Sequence, residues 1–421
     1  MAILASPLTD RHEASASART RAGKRRSVVA EWFAHPHADF YLVLVSAALL
    51  TVLGAMMVLS ASSVNAFAAH GNAYYWFGRQ LVFIVVGVVA ARWLSRRSRV
   101  TLSVLAWVSM AVAFVLQLLT FSPFGVSVNG NLNWVQLGPE FARFQPSEFA
   151  KFALVLWAAD VFARKAKLIG DPRHLLIPFL PVSLAFVAMV AVHKDLGTAV
   201  LLGAIIVAVL WFVGARWSVM LSIFTVIGAG VLVLIYTSPN RMGRLSGFLN
   251  PDADPLGANH QPIQAAVALA NGGWLGLGLG ASRQKWGSLA EAHTDYILAV
   301  TGEELGFIGL FVVLALFATF GFAGFRIAMR STDRFARFAA AGVTSWLMFQ
   351  ALVNILVVLR CLPVAGVPLP FLSYGGSAMI ASLCGVGVLL ACARWEPGAS
   401  PPPPRDAAEL TAVVSTDGRA K

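Results

Sequence analysis

The chain is poor in charged residues and in cysteine, and each shortage limits the kind of protein it can be. Only 12% of its 421 residues are charged, about half of the roughly 25% that is typical of soluble domains. The three cysteines form no CxxC or Cys/His pattern, so the sequence encodes no zinc site or disulfide framework. Residues 1–39 lack the apolar core of a signal peptide, and we therefore expect the first apolar span to act as an uncleaved anchor.

Hydrophobic residues, at 58% of the chain, are what the sequence has in excess. Apolar stretches of about 18 residues or more recur along it, and that is the length a helix needs to cross a bilayer. The pattern predicts an all-α, polytopic membrane protein with ten transmembrane helices in one membrane domain, residues 40–394. The predicted helices begin near Phe40, Arg79, Thr101, Ser147, Leu175, Gly197, Trp217, Asp295, Phe335 and Ser377.

The net charge of +12 is concentrated in alternate connections between the predicted helices. Lys and Arg cluster in residues 19–26, 92–99, 164–173 and 326–337. This is the positive-inside pattern of a cytoplasmic-membrane protein, and it argues against a nucleic-acid-binding surface. It predicts that both termini are cytoplasmic. The basic arm, residues 1–39, and the proline-rich tail, residues 395–421, are predicted to be disordered extensions there.

Two of the outward connections are long, residues 120–145 and 237–294. The second is predicted to be a large extracytoplasmic loop between predicted helices 7 and 8. Within it, residues 263–282 read IQAAVALANGGWLGLGLGAS, an apolar but glycine-rich stretch that is too short to cross the membrane. We predict a re-entrant or interfacial element here, in which glycines allow a close approach of the backbone.

Most of the unusual ionisable side chains lie on the predicted outer side, where cations and carboxylates together define a candidate cleft. Its members are Glu148, Lys151, Lys194, Asp195, Arg241, Arg244, Arg283, Lys285 and Asp295, with His293 and Thr294 beside the last. This mixture suits a substrate that carries phosphates and hydroxyls. Cations neutralise a diphosphate, and a carboxylate accepts the proton of an attacking hydroxyl.

Several of these residues also have a purely structural interpretation. Glu148 and Lys151 are three residues apart and can form an ion pair on one helix face. Asp195 and Asp295 each precede a predicted helix and can cap it. The sequence alone leaves both interpretations open.

Two further features are ambiguous in the same way. Glu303 and Glu304 lie roughly 12–13 Å along the helix that follows Asp295, at about 1.5 Å per residue, and we expect them to be buried, hydrogen-bonded structural groups. Trp134 lies among turn residues in NGNLNWVQLG, residues 129–138. It is either an interfacial anchor or part of a structured loop, and the turn residues favour the loop.

Six stretches taken together resemble the SEDS family of cell-wall proteins (shape, elongation, division and sporulation), and they occur in the order that is usual in that family. They are FQPSEFAKF (144–152), KDLGTA (194–199), RLSGFLNPDADPLGANHQPIQ (244–264), GLGLGASRQK (276–285), EAHTDYILAVTGEELGFIG (291–309) and GVPLPFLSYGGSA (366–378). The combination SRQK, EAHTDYI and GEELG is more similar to the division branch than to the elongation branch.

The resemblance implies an enzyme of the cytoplasmic membrane. SEDS proteins polymerise lipid II, a disaccharide-pentapeptide linked to undecaprenyl diphosphate, on the outer face of that membrane. They act with a class B penicillin-binding protein, and the division branch acts at the septum with other division membrane proteins. By the same resemblance Asp295 is the essential catalytic carboxylate, Trp134 is a tryptophan required for activity, and Glu148 and Lys151 are paired charges.

Our mechanistic hypothesis is an inverting glycosyl transfer in which Asp295 is the general base on the acceptor hydroxyl. The cations that we expect to offset charge on the leaving diphosphate are Arg241, Arg244, Arg283 and Lys285. Carboxylate and phosphate oxygens also suit a divalent cation, Mg²⁺ or Mn²⁺, at Asp295, although no metal motif demands one.

Two departures from the family pattern stand near the predicted cleft. Asn133 is where the family usually has an arginine, and Lys194 is where it usually has a proline, so Lys194 could replace the missing positive charge. Two other functions are compatible with the sequence. One is a lipid II flippase or ion-coupled carrier that uses Glu303 and Glu304 as ion sites, and the other is a non-catalytic division scaffold.

Overall fold

The computed structural model describes residues 37–128, 131–138, 143–168, 170–250, 257, 259–287 and 289–395. The predicted disorder of the N-terminal arm and C-terminal tail concerns residues almost entirely outside these ranges. The described helices, in chain order, are α1 (Ala38–His70), α2 (Tyr75–Ser95), α3 (Arg99–Leu119), α4 (Pro146–Arg164), α5 (Pro172–Leu176), α6 (Phe179–Val192), α7 (Leu196–Val213), α8 (Trp217–Tyr236), α9 (Pro239–Leu249), α10 (His260–Gly272), α11 (Ile297–Arg330), α12 (Arg334–Val358) and α13 (Gly376–Arg394).

Helices occupy all ten positions predicted from hydropathy. Eight of the described helices are long and apolar enough to cross a membrane, namely α1, α2, α3, α7, α8, α11, α12 and α13. The other two predicted positions hold α4, whose apolar sequence is interrupted by charged residues, and α6, which has 14 residues. The predicted all-α, polytopic architecture is confirmed.

A three-stranded antiparallel sheet follows α3, and hydropathy did not predict it. Its strands are β1 (Gly125–Val128), β2 (Asn131–Gln136) and β3 (Arg143–Phe144), with β2 in the centre. Val126 pairs with Trp134 across β1 and β2. Because alternate side chains of a strand point to opposite faces, Asn133 is buried while Trp134 faces the other way and is half-buried. The structured loop predicted around Trp134 is therefore confirmed.

The large loop between α8 and α11 is anchored to α11 at a kink. Gly306 has φ 68° and interrupts the helix, which frees backbone groups on both sides of it. The carbonyls of Glu303 and Glu304 accept from the loop amides of Leu277 and Gly278, each at 3.0 Å. In return, the amide of Phe307 donates to a loop carbonyl at 2.9 Å. The glycine-rich stretch thus supplies hydrogen-bond partners for the backbone groups that the kink leaves free. Its insertion into a membrane stays a prediction.

The helices α4, α12 and α13 form the centre of the bundle, because most of their residues are buried. Helix α8 is the opposite extreme. Only Met220 and Ile223 of α8 are buried, whereas large apolar side chains such as Leu221 and Phe224 are exposed. An apolar, exposed helix of this kind suits contact with lipid.

One end of the bundle carries a set of ion pairs between helices. Asp39 at the start of α1 lies 3.3 Å from Arg326 and 3.2 Å from Arg330 of α11. Arg99 of α3 lies 2.9 Å from Asp333, the residue that caps α12. This is the end that the charge distribution predicts to be cytoplasmic. The opposite end contains the cavity.

Candidate active site

A cavity of about 830 Å³ opens at the end of the bundle away from these ion pairs. Its volume is within the range of roughly 300–1,000 Å³ typical of small-molecule sites. Its walls come from α2, the sheet, α7, α8, α9, α12 and the start of α13, and from two segments, residues 291–295 and 362–368. Residues far apart in the chain therefore meet here.

Eight of the twelve site residues predicted from the sequence line this cavity. They are Trp134, Lys194, Asp195, Arg241, Arg244, His293, Thr294 and Asp295. The remaining four, Glu148, Lys151, Arg283 and Lys285, are not among the lining residues. The structure thus brings eight of the predicted residues together at one cavity and places the other four elsewhere.

The backbone around Asp295 is held by three consecutive hydrogen bonds. The carbonyls of residues 293, 294 and 295 each accept from a different donor. These donors are the amide of Tyr374 at 2.9 Å, the hydroxyl of Ser373 at 2.6 Å and the side-chain amide of Asn354 at 2.8 Å. Because every carbonyl of this short segment is bound, the Asp295 side chain projects from a fixed backbone.

Asp295 does not cap the following helix. Tyr296 is the residue before α11, and no side chain accepts a hydrogen bond at this helix start. The capping alternative is therefore wrong for Asp295. Its half-buried carboxylate faces the cavity instead.

The surroundings of Asp295 make its carboxylate easier to protonate. Burial is the largest cause, the negative charges of Glu291 and Asp195 add to it, and the positive charge of Arg244 opposes it. Together they raise the pKa of Asp295 to about 7. A general base is most effective when its pKa lies near the working pH, so this carboxylate suits proton transfer at neutral pH.

An aromatic wall stands beside Asp295. The ring of His293 lies 6.0 Å from that of Trp76 and 5.6 Å from that of Tyr374. Burial lowers the pKa of His293, so its imidazole is neutral at pH 7. Arg79 extends over Trp76, with its guanidinium carbon 5.3 Å from the ring centroid. The wall therefore combines apolar surface with a cation.

The capping interpretation of Asp195 is confirmed. Its carboxylate accepts from the Thr198 amide at 3.0 Å and from the Thr198 hydroxyl at 2.7 Å at the start of α7. It also accepts from the side-chain amides of Gln145 at 3.3 Å and of Asn133. Asn133, the residue in place of the family's arginine, thus binds Asp195 and ties the sheet to α7. Lys194, the residue before Asp195, lines the cavity.

Sequence reasoning missed two cations of the site, Arg79 and Arg143. Both line the cavity. Arg143 pairs with Gln136 across β2 and β3, and its guanidinium donates to the Gln136 side chain at 3.2 Å. The available signal was its position immediately before the FQPSEFAKF stretch. Arg79 lies at the start of a predicted membrane helix, and no neighbouring motif marks it as a site residue.

Glu148 and Lys151 form a buried ion pair beneath the cavity. The Lys151 ammonium lies 2.8 Å from Glu148 and donates at 2.8 Å to the side-chain oxygen of Gln350. The amide nitrogen of Gln350 donates at 3.0 Å to the carbonyl of Pro368. The structural interpretation of the pair is therefore confirmed. Its contacts lead to the segment 366–378, which holds the backbone next to Asp295.

Arg283 and Lys285 belong to a second polar cluster at the kink of α11. Lys285 lies 3.3 Å from Glu304, and its ammonium donates at 2.6 Å to the carbonyl of Gly280. The backbone amide of Arg283 donates at 3.2 Å to Glu303, while the Arg283 side chain is exposed. Contrary to the prediction, neither cation lines the cavity, because the loop is drawn to the two glutamates.

Backbone strain is concentrated around the site. Among the described residues other than glycine, the left-handed region is occupied by Lys194, Glu291, Arg360 and Phe371. Lys194 and Glu291 line the cavity, Arg360 lies in the connection after α12, and Phe371 belongs to the segment 366–378. Conformations of this kind cost of order 1–3 kcal/mol each and cluster at functional sites.

The described residues contain no group of three His, Cys, Asp or Glu side chains placed to hold a metal ion. A divalent cation at Asp295 would therefore need oxygen ligands from the substrate. It stays a prediction.

The fold and the site define a polytopic α-helical membrane protein with a large cavity at one end, lined by cations and by a carboxylate of raised pKa. A family model described as "Cell cycle protein", covering FtsW, RodA and SpoVE, matches residues 40–396. The chain belongs to this family. The resemblance drawn from the six motifs is thereby confirmed.

Relatives with curated names lie in the division and sporulation branches. The chain is 37% identical over 386 residues to the "Probable peptidoglycan glycosyltransferase FtsW" of Mycobacterium tuberculosis, covering 91% of this chain and 72% of that protein. It is 36% identical over 358 residues to "Stage V sporulation protein E" of Bacillus subtilis, covering 85% of this chain and 97% of that protein.

Solved structures share the fold. The chain matches RodA of Thermus thermophilus with a TM-score of 0.61 at 25% identity, covering 84% of this chain and 95% of that one. It also matches a chain from a structure described as "Structural coordination of polymerization and crosslinking by a peptidoglycan synthase complex". That TM-score is 0.67 at 27% identity, covering 84% of this chain and 96% of the other.

Proposed function

We propose that this protein is a peptidoglycan glycosyltransferase that polymerises lipid II on the outer face of the cytoplasmic membrane during septal wall synthesis. The observation that carries the proposal is Asp295, a carboxylate with a pKa raised to about 7 that faces a cavity rich in cations. The names of the relatives support the glycosyltransferase activity, and the family description "Cell cycle protein" supports a role in cell division.

The chemistry follows from the position of Asp295. The 4-hydroxyl of the acceptor sugar attacks the anomeric carbon of the donor, and a new C–O bond forms with inversion. Asp295 receives the hydroxyl proton in the transition state. The bond from the anomeric carbon to the diphosphate oxygen breaks, and its electron pair leaves with undecaprenyl diphosphate. General-base help of this kind contributes typically about 10²–10⁴-fold in rate.

The cations of the cavity are suited to the leaving diphosphate. They come from four different parts of the chain and are Arg79, Arg143, Lys194 and Arg241, while Arg244 lies at the wall shared with a smaller neighbouring cavity. Guanidinium groups bind phosphate oxygens in a forked, charge-assisted geometry. Placed where negative charge develops, such groups stabilise the transition state more than the ground state.

The cavity also has an apolar side, which suits the polyprenyl part of the substrate. Val200 of α7, Val231 and Ile235 of α8, and Phe349 and Val353 of α12 line it there. Helix α8 is otherwise little buried, so this wall lies next to a surface suited to lipid. A lipid-linked substrate could then place its headgroup in the cavity while its tail remains in the membrane.

The orientation, location and partners are part of the same proposal. Positive-inside charge supports cytoplasmic termini and an outward-facing cavity. The match to a chain of a peptidoglycan synthase complex supports a partner, which we expect to be a class B penicillin-binding protein acting with other division proteins.

The positions of Glu303 and Glu304 argue against the transporter alternative. It relied on Glu303 and Glu304 as ion sites, but both are buried, bound by several donors and absent from the cavity wall. The scaffold alternative makes a clear prediction, because a pure scaffold would keep its function when Asp295 is changed.

The test is polymerisation of labelled lipid II by the purified protein with its cognate penicillin-binding partner, comparing wild type with Asp295→Asn. We expect long glycan products from the wild type and none from the variant, because asparagine cannot accept the proton. Equal polymerisation by both would overturn the role of Asp295. Lipid II crossing liposome bilayers without any polymer would favour the transporter.

A further inference from the structure

A second, smaller cavity of about 180 Å³ adjoins the main one. The two share part of their walls, namely Arg244, Leu362, Pro363 and Val364. Arg244 thus stands between them. The small cavity is below the roughly 300 Å³ of a site for a drug-sized ligand, so it suits one chemical group of a larger molecule.

The small cavity is lined by two cations and no carboxylate. Arg360 faces it together with Arg244, and the remaining wall includes apolar side chains such as Phe248 and Pro262. Within the described part of the chain, no ion pair joins either guanidinium to a carboxylate. Two guanidinium groups without a direct salt bridge, beside apolar surface, favour an anionic ligand.

The backbone conformation of Arg360 is a second, independent observation that points to a functional side chain. Arg360 follows the last turn of α12, where its amide donates at 3.0 Å to the Val357 carbonyl, and it has φ 57°. Glycine adopts this conformation without strain, whereas other residues are costly there. Glycine would occupy this turn position without strain, so the presence of arginine indicates that the protein needs the arginine side chain.

We propose that Arg244 and Arg360 form a second diphosphate subsite, which holds the diphosphate of the lipid-linked acceptor. This inference rests on the proposed function. Polymerisation joins two lipid-linked molecules, and only the donor loses its diphosphate at the reaction centre. The acceptor keeps its own diphosphate, a disaccharide away from the reacting hydroxyl, so it needs a separate subsite near the main cavity. The shared wall at Arg244 provides that proximity.

The test counts lipid II molecules bound to the inactive Asp295→Asn protein by native mass spectrometry. We expect two lipid II molecules on Asp295→Asn and on the doubly changed Asp295→Asn/Arg360→Lys protein, which keeps the charge. At a lipid II concentration near the dissociation constant of the second site, we expect mostly one on Asp295→Asn/Arg360→Asn, because asparagine tolerates the left-handed backbone but has no charge. Arg216→Asn, which removes an exposed cation outside both cavities, is the matched control and should leave two.

A second arm separates the ligand sources and the two proposals. Free diphosphate and phosphatidylglycerol are added in turn; displacement of the second lipid II by phosphatidylglycerol would assign the site to a phospholipid headgroup and overturn the acceptor subsite. Two lipid II molecules on the Arg360→Asn protein would also overturn it. No lipid II on any protein would contradict the proposed function itself.

Turnover gives a further readout with Asp295 intact. At low lipid II concentration, Arg360→Asn should polymerise roughly 10-fold more slowly, the loss expected for one charge-assisted hydrogen bond, and should recover at high concentration. Arg360→Gly serves as a folding check, because it relieves the backbone strain while removing the charge. Full activity of Arg360→Gly at low concentration would show that the side chain is not used.

Discussion

Asp295 lies close in the chain to the pair Glu303 and Glu304, yet their carboxylates lie in opposite kinds of surroundings. Asp295 faces a cavity, and its pKa is raised to about 7. Glu303 and Glu304 are buried and accept from several donors, among them the Ser282 hydroxyl at 2.5 Å and the Lys285 ammonium at 3.3 Å. A carboxylate whose hydrogen-bonding capacity is used by the fold supports structure, and one left facing a cavity is available for chemistry.

The kink at Gly306 creates this division. By breaking α11, it brings the loop 273–285 onto the first turns of the helix and surrounds both glutamates with donors. Asp295 lies before the helix, and its backbone carbonyl is held by the side-chain amide of Asn354. A carboxylate that faces the cavity therefore precedes the helix, and two structural carboxylates follow within its first turns.

The largest effect on stability is expected from Lys285→Met. Removing the ammonium leaves Glu304 as a buried charge without its ion-pair partner, and loss of one member of such a pair typically costs about 3–5 kcal/mol. The unfolding midpoint in detergent should fall clearly. Arg283→Gln is the matched control, because the Arg283 side chain is exposed and such changes stay within about 0.5 kcal/mol. Equal stability of the two variants would contradict the structural role of the cluster.

Asn354→Leu tests whether the fixed backbone at Asp295 matters for turnover. It removes the donor to the carbonyl of Asp295 and to that of Val367, at 2.8 and 2.7 Å. Because a small misplacement of a catalytic group is costly, we expect turnover to fall roughly 10–100-fold with an unchanged half-saturating lipid II concentration. Asn271→Leu, at the end of α10 and outside the cavity, should leave turnover unchanged. A change in half-saturation alone would instead place Asn354 in substrate binding.

The pH dependence of turnover should reflect Asp295. A general base acts in its deprotonated form, so turnover should be low in acid, half-maximal near the pKa of about 7, and level above it. The measurement is lipid II polymerisation between pH 5 and 9 (a range of roughly two units each side) at limiting lipid II, where the rate follows kcat/KM and reports the pKa of the substrate-free enzyme. A flat profile through neutral pH would argue against proton transfer to this carboxylate.

The smallest and most specific effects are shifts of that profile. Glu291 raises the pKa of Asp295 and Arg244 lowers it. Glu291→Gln should therefore move the half-maximal point to lower pH, and Arg244→Gln should move it to higher pH. Shifts of the same sign in both variants would show that the titrating group is not Asp295.

The sequence predicted the parts of the fold and site that depend on local pattern. Hydropathy located ten of the thirteen described helices, and the motif around Asp295 pointed to the carboxylate that faces the cavity. What it could not predict depends on contacts between distant residues. Lys285 was assigned to the substrate, because nothing in its neighbourhood showed that Gly306 would bring it to Glu304. Asn354 was missed because a single polar residue in an apolar helix looks incidental until its partners are seen.

The measurement that tests the account most directly compares Asp295→Asn with Glu304→Gln in one preparation, by lipid II turnover per folded molecule and by unfolding midpoint. The account predicts opposite results. Asp295→Asn should unfold like the wild type and lose turnover by about 10²–10⁴-fold, while Glu304→Gln should be clearly less stable and retain turnover in the fraction that is folded. Normal turnover in Asp295→Asn, or a stable but inactive Glu304→Gln, would contradict it.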